Sequence, residues 1–367
     1  MKYTLGYICG SESWGGLEMN HIRNAKWMMD RGHEVFYFCV TESRSYIYAS
    51  ELGLPVISIK KHKKYYDFRQ GASLVKLLKK YKITHLLARS TADLSILAYA
   101  KYKLKDHLHT SYFMEMQMGV PKKNILHTIR YKYIDVWSCP LNWLKEQVEQ
   151  MTRFKNKLVV IPSGLELERF SRLNKPAARE KMEIPANSFL FGLAGRFDPQ
   201  KGQLLLLEAM SLAKEKDFSI VLLGEPTLHE SGDNYFQEMN QTIERFELQD
   251  RVFIRPFMPD IEVFYAALNW FVMATKAETF GMVTIEALAS GIPVLGSNAG
   301  GTPEILQNDR FGMLFKPLDA GDMAKKIDKI VSNQLTINKD LLIKAAAKYD
   351  HNLVCEAVEK VLNLKTE

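Results

Sequence analysis

The chain has 367 residues, 47% of them hydrophobic and 25% charged, with 49 Lys and Arg against 42 Asp and Glu for a formal net charge of +7. That balance belongs to a globular protein with sizeable cores and excludes a disordered chain, and the length suggests two or three domains. No stretch approaches the roughly 18 consecutive apolar residues that cross a bilayer, so the chain reads as soluble or peripheral.

The four cysteines, Cys9, Cys39, Cys139 and Cys355, show neither a CxxC pair nor a metal-ligand spacing, which fits a reducing compartment. Charge is divided unevenly. Residues 1–165 hold 26 Lys and Arg against 13 Asp and Glu, whereas the remainder holds 23 against 29. A basic first half points to an anionic partner there: a lipid headgroup surface, a phosphorylated glycan or nucleic acid.

In chain order, Lys2 to Cys9 reads as a strand and not a signal peptide, because Gly10-Ser11-Glu12 follows with no cleavage site. The loop ending in Gly15-Gly16 leads to a helix from about Leu17 to Arg31, stopped by Gly32 before a strand at 34–40, the opening of a βαβ unit. Without a Cβ, Gly15 and Gly16 allow backbone N–H groups to approach a ligand. After a strand at 56–59 comes Lys60-Lys61-His62-Lys63-Lys64-Tyr65-Tyr66-Asp67-Phe68-Arg69, cations interleaved with aromatics, suited to a membrane interface or to an exposed loop. A helix at 71–81 and a strand at 84–88 follow.

Arg89 and Asp93 then lie in a loop at a strand's carboxyl end, before a helix at 94–102. A strand at 107–114 leads into Glu115. Residues 121–133, basic on one side and apolar on the other, read as a surface amphipathic helix or a core helix with solvated lysines. A strand at 135–139, a helix at 141–151 and a strand at 158–161 complete the first half, and polar residues 169–179 read as a linker.

The second half opens with a strand at 189–194 and the loop Gly195-Arg196-Phe197-Asp198-Pro199-Gln200-Lys201-Gly202, before a helix at 204–215. A lysine at a helix N-terminus opposes the macrodipole unless an anion lies between them; a diphosphate would satisfy Arg196 and Lys201 together. A strand at 219–223 ends at Gly224, a helix spans 234–246, and a strand at 251–254 precedes the loop holding Met258. Asn269 to Ala274 reads as a buried strand, and Met282 to Ser290 as a helix closed by Gly291. Between them Glu278 precedes Phe280, Gly281, Met282 and Val283, whose N–H groups at a helix start favour anions. Glu286 shares the face of Met282 and Val283, and a carboxylate there suits a vicinal diol. A strand at 313–315 and helices at 320–331 and 351–364 end the chain.

Glu278 and Glu286, with seven residues between them, followed by Gly-Ile-Pro-Val and then by Gly300-Gly301-Thr302-Pro303-Glu304, resemble the donor-site signature of the family 4 retaining glycosyltransferases of GT-B fold. The resemblance covers nearly the whole chain and implies an α/β architecture of two facing doubly wound Rossmann-like domains. A basic acceptor domain would span 1–165 and a donor domain 166–350, with a C-terminal helix (351–367) crossing back to the first. It also implies roles. Glu278 and the amides that follow it would hold the transferred sugar, and Glu286 the nucleotide ribose. Arg196 and Lys201 would take the diphosphate, with Gly15, Gly16 and Gly224 near the nucleotide and Met258 near its base.

The family often places a histidine or aspartate beside the reacting sugar. No such residue is obvious in this sequence, so Glu115 is the nearest candidate, with Arg89 and Asp93 on the acceptor side. The implied reaction moves a sugar, with retention, from a UDP- or GDP-linked donor to an anionic or lipid-linked glycan in surface polysaccharide or lipopolysaccharide synthesis. It would proceed in the cytoplasm, peripherally on the inner membrane face, with no metal, no other cofactor and no nucleic acid. The rivals are a nucleotide-sugar epimerase of the same architecture, a glucan synthase with a neutral acceptor, and a non-enzymatic basic module.

Overall fold

The computed structural model describes residues 2–170, 174–226 and 230–363, and two compact units emerge: one runs to Gly164 and resumes at His351, the other is Leu165–Asp350.

The first unit is built on β1 (Thr4–Cys9), β2 (Glu34–Val40), β3 (Val56–Ile59), β4 (His85–Ala88), β5 (His109–Phe113), β6 (Val136–Cys139) and β7 (Lys157–Val160). They pair in parallel in the order β3-β2-β1-β4-β5-β6-β7. β4 and β6 are buried throughout, as befits strands covered on both faces. One face packs Ile22, Met28 and Val35 with Val354 and Val358; the other packs Leu74, Leu78, Leu97 and Trp137. Strand order reverses between β1 and β4, and loops at the carboxyl ends beside such a reversal form a ligand crevice.

Two helices depart from the sequence reading. Phe68–Lys80 begins three residues early because the Asp67 side chain accepts from Gln70 N at 3.1 Å, a cap that starts the helix ahead of Gly71. The basic stretch at 121–133 is helical only over Ile125–Lys132, started by Asn124, which accepts from His127 N at 3.0 Å. This short helix buries His127, Arg130 and Tyr131 and turns Ile125, Leu126 and Ile129 outward, so of the two readings it is the surface amphipathic helix and not the core helix.

The helix His351–Leu362 packs on the first unit beside Gly16–Asp30; residue 364, where the sequence placed its end, lies outside the described residues. Glu359 accepts from Arg31 Nε and Nη2 at 2.9 Å each, and His33 Nε2 lies 3.1 Å away. Those Arg31 bonds, helped by His33, hold the Glu359 carboxyl down to about 2. His85 Nε2 bonds the Leu362 carbonyl at 3.1 Å, and burial, with the nearby His109 imidazole, depresses the His85 pKa to about 4.

A base depressed in the folded state favours folding fully above its unfolded pKa of about 6.5 and loses that contribution as pH falls, because only the unfolded chain then takes the proton. Between pH 6.5 and 4 the His85 shift should cost the first unit roughly 3 kcal/mol. Four of the five tryptophans (14, 27, 137 and 143) lie in that unit, so denaturant unfolding followed by tryptophan fluorescence at pH 7.5 and 4.5 reads it. His85→Gln keeps a donor but does not titrate in this range, and it should flatten the profile; an unaltered pH slope would contradict the assignment.

The second unit carries β8 (Leu190–Ala194), β9 (Ser219–Leu223), β10 (Val252–Arg255), β11 (Trp270–Met273), β12 (Val294–Ser297) and β13 (Gly312–Phe315), all parallel, in the order β10-β9-β8-β11-β12-β13. Here the order reverses between β8 and β11. The expected linker needs correcting: residues 171–173 lie outside the described residues, but Lys175–Lys181 is a helix, with Asn174 accepting from Ala177 N at 3.0 Å and Pro176 in its first turn. Proline fits that position, where no N–H is needed.

Candidate active site

In the second unit both loops at the β8/β11 reversal carry residues singled out from the sequence. After β8 the chain makes a single helical turn, Pro199–Lys201, with Asp198 accepting from Gln200 N at 2.9 Å, and then enters the helix Gln203–Leu212. Gly202 between them has φ +78°, and a Cβ on it would lie 2.6 Å from the Ala274 carbonyl oxygen. Only glycine lets this turn press against the end of β11. Gln203, fully buried, donates to the Arg196 carbonyl at 2.9 Å and accepts from Tyr235 Oη at 3.2 Å, while Phe197 stacks on Phe236. The loop backbone is therefore fixed, while the Arg196 side chain is exposed with no ion pair among the described residues.

After β11, Glu278 lies opposite Lys201. Lys201 Nζ is 3.4 Å from Glu278 Oε2, both side chains about a quarter to a third exposed (32% and 22%). Glu278 Oε1 accepts from Thr279 N at 3.1 Å. Its backbone is tied to the loop after β12: Gly301 N donates to the Glu278 carbonyl at 2.8 Å, and Glu278 and Gly300 form an isolated parallel bridge. Gly281, at φ +76°, caps the helix Met282–Ala289 with no side-chain acceptor. The first-turn N–H groups of Met282 and Val283, which a helix cannot satisfy internally, thus lie at the same strand ends. Phe280 is buried edge-on against Tyr349.

Glu286, one turn in, accepts a 2.8 Å bond from Tyr265 Oη. Tyr265 is wholly buried, and burial first, then the carboxylate, pushes its pKa well above 10. Nothing in the spacing of residues pointed to this tyrosine; it fixes one Glu286 oxygen, and each carboxylate oxygen can still accept more than one bond. Gly224 follows β9 directly, its N–H bonded to the Arg255 carbonyl at 3.0 Å, and Met258 is half-buried beyond β10.

The first unit repeats the plan at its β1/β4 reversal. Gly10 N donates to Asp93 Oδ1 at 3.0 Å, and His62 Nε2 stands 3.0 Å from the same oxygen, the His62 and Asp93 side chains being 1% and 0% exposed. Burial tends to raise the Asp93 pKa and to lower that of His62; their mutual contact opposes both tendencies and leaves the His62 pKa above its ordinary value. Arg89, also buried, pairs with Glu115, which in turn accepts from Ser163 Oγ. Burial lowers the Arg89 pKa to about 10, which keeps it charged at neutral pH.

Arg89 and Glu115 are thus brought together, and Asp93 is joined instead to His62, a histidine hidden from the sequence reading inside a run of lysines. Gly15 and Gly16, expected near the donor phosphates, lie at the start of the helix Gly16–Asp30. Gly15 is extended (φ −176°), open to any residue, and the carboxylate of Glu18, 3.8 Å from where a Gly15 Cβ would stand, occupies the helix start, drawn by the N–H groups of Gly15 and Glu18 and the Ser11 hydroxyl.

Comparison with known proteins places this arrangement. Residues 14–169 match the model of Glycosyltransferase Family 4, and residues 174–349 that of Glycosyl transferases group 1. The chain belongs to the family 4, group 1 glycosyltransferases. An uncharacterized glycosyltransferase of Methanocaldococcus jannaschii is 26% identical over 74% of this chain and 65% of its own length, so the chain spans just under two thirds of that relative. An Escherichia coli enzyme, UDP-Gal:alpha-D-GlcNAc-diphosphoundecaprenol alpha-1,3-galactosyltransferase, is 26% identical over 78% of this chain and 75% of its own. Among solved structures, Anabaena HepE in complex with UDP superposes with a TM-score of 0.85 at 20% identity, over 98% of this glycosyltransferase and 99% of that chain. That likeness establishes the fold, two Rossmann-like parallel-sheet domains of GT-B type. Among the described residues no three His, Cys, Asp or Glu converge to hold a metal ion, and no helix is long and apolar enough to cross a membrane.

Proposed function

We propose that this glycosyltransferase transfers a sugar, with retention, from a UDP- or GDP-linked donor held in the second unit to an anionic or lipid-linked glycan, in the synthesis of a surface polysaccharide or lipopolysaccharide. The observation that carries the donor assignment is the Lys201–Glu278 pair across the β8/β11 reversal, with the start of the helix Met282–Ala289 and Glu286 beyond it. A diphosphate entering there meets Lys201, Arg196 and the N–H groups of Met282 and Val283, and the sugar hydroxyls meet Glu278. As the glycosidic bond breaks, negative charge grows on the leaving diphosphate. Donors already aimed at that charge stabilise it without reorganising, so in this reading the cations take the part a metal would otherwise play. The presence of UDP-Gal and a diphospholipid in the E. coli relative's name supports a UDP-sugar and a lipid-borne acceptor here. The excess of cations in residues 1–165 supports an anionic acceptor, reached in the cytoplasm at the inner membrane face.

A binding screen of UDP-, GDP- and ADP-sugars tests the donor; conversion of donor alone into an epimer would instead indicate an epimerase. Glu286→Ala should weaken UDP binding by roughly 1–3 kcal/mol, the worth of charge-assisted bonds to a diol. Tyr265→Phe, which only frees one carboxylate oxygen, should weaken it less. Calorimetric titration with UDP separates the two, and equal affinities for all three proteins would remove Glu286 from the donor site.

A further inference from the structure

Three stretches far apart in sequence meet on one face of the first unit: the loop 60–69, the outer side of the helix Leu94–Leu104, and the helix Ile125–Lys132. Together they line an aromatic groove of about 290 Å³. We propose that this face is the surface by which the protein docks on an anionic lipid bilayer, with Ile125, Ile129 and Phe68 entering the acyl boundary and the surrounding lysines meeting headgroups. The inference rests on the reading that the acceptor is membrane-borne, and it names the surface.

Three observations carry it. First, the helix Ile125–Lys132 is inverted: it keeps Arg130 and His127 inside and leaves Ile125 71% exposed, Ile129 52% and Leu126 45%. An eight-residue helix that exposes its apolar side is costly in water unless something apolar covers it.

Second, the surface is held rigidly in this form. The Arg130 guanidinium lies 4.7 Å from the Tyr65 ring centre and donates to the Thr91 carbonyl at 2.7 Å, and Ser95 Oγ donates to the Lys64 carbonyl at 2.7 Å. The loop that ends at Phe68 is thereby fixed to both helices. Tyr66, 59% exposed, is kept at φ +54°, a backbone region that bulky side chains avoid.

Third, the charge is complementary to anionic lipid. Residues 60–69, 99–105 and 121–133 hold twelve Lys and Arg and a single acid, Asp67, which is spent capping the helix Phe68–Lys80. Lys63, Lys64, Lys103, Lys123 and Lys132 are exposed around the apolar side chains. Rings and aliphatic groups at headgroup depth, ringed by lysines, match the interface of a bilayer bearing negative lipids.

The test is co-sedimentation of the full chain with vesicles of phosphatidylcholine alone and of phosphatidylcholine mixed equally with phosphatidylglycerol. The protein should partition onto the mixed vesicles, and salt should release it. Ile125→Gln with Ile129→Gln keeps helix propensity and should lower partitioning at least about tenfold; Lys122→Gln with Lys123→Gln should lower it on the mixed vesicles alone. Neither pair lies at the donor residues, so UDP binding and melting temperature serve as folding controls. Binding to mixed vesicles that ignores both pairs overturns this surface while leaving a membrane-borne acceptor standing. No binding to any vesicle overturns both. Salt-sensitive RNA binding that ignores the isoleucine changes, without vesicle binding, would assign the lysines to nucleic acid.

Discussion

Replacing Lys201 by alanine should lower kcat roughly 10²–10³-fold, the cost of removing one preorganised charge-stabilising donor, while changing KM for the nucleotide-sugar little. Lys201 stands one residue before Gly202, which caps the helix Gln203–Leu212, where the macrodipole disfavours a cation. Glu278 partly offsets that cost at 3.4 Å. A donor diphosphate would offset it further, and most strongly once the bond has stretched and the phosphate oxygens carry added charge. An interaction that strengthens towards the transition state appears in kcat, whereas one made equally in the bound donor appears in KM. Steady-state kinetics with whichever nucleotide-sugar turns over, together with UDP affinity, separate these outcomes. A variant with unchanged kcat and raised KM would show that Lys201 only anchors the donor. Lys201→Arg keeps the charge but spreads it over a planar fork, and it should recover part of the loss.

The βα rhythm was legible because buried parallel strands write themselves as short apolar runs. β2, β3 and β9 fall on the residues their hydrophobic patterns mark, and the two Rossmann-like sheets and the family that the glutamate motif implied are both present. Elements whose signals are short or mixed were not legible. The helices Arg44–Glu51, Ile261–Ala267, Thr302–Ile305 and Lys339–Ala346 span at most eight residues, about two turns, too few for a period of 3.6 to declare itself. β12 reads Val-Leu-Gly-Ser; its glycine and serine resemble a turn, and only the neighbours β11 and β13 make it a strand.

The site shows the same limit. Spacing marked Glu278 and Glu286 but could not find the tyrosine that holds Glu286 from 21 residues upstream, because pattern along one helix is blind to the helix beside it. His62 was invisible for the opposite reason: four lysines around it define the local composition, while its partner Asp93 lies 31 residues on. For the helix Ile125–Lys132 composition left a surface and a core reading open, and the structure decides for the surface one. Its composition says which residues are apolar, and the side that faces inward is decided by what Arg130 and His127 can reach in the tertiary structure.

Gly300→Ala should destabilise the second unit by roughly 2–5 kcal/mol and remove donor binding with it. Gly300 has φ +62°, and a Cβ there would stand 2.2 Å from the Glu278 carbonyl oxygen and 3.0 Å from its nitrogen. A left-handed non-glycine residue costs about 1–3 kcal/mol, and relieving an overlap with backbone costs about as much again. Relief must widen the gap between Gly300 and Glu278, which strains or breaks the Gly301 N to Glu278 carbonyl bond and shifts the Glu278 carboxylate relative to Lys201. Stability and the site therefore share one contact, and the melting temperature and UDP affinity of the variant should fall together. Gly321→Ala is the matched control: its Cβ would meet nothing nearer than Asp319 Oδ1 at 3.5 Å, in the first turn of the helix Ala320–Ser332, and alanine there should stabilise by about 0.4–1 kcal/mol. A Gly300→Ala protein that melts normally and still binds UDP would show that the Glu278–Gly300 bridge does not hold the donor site.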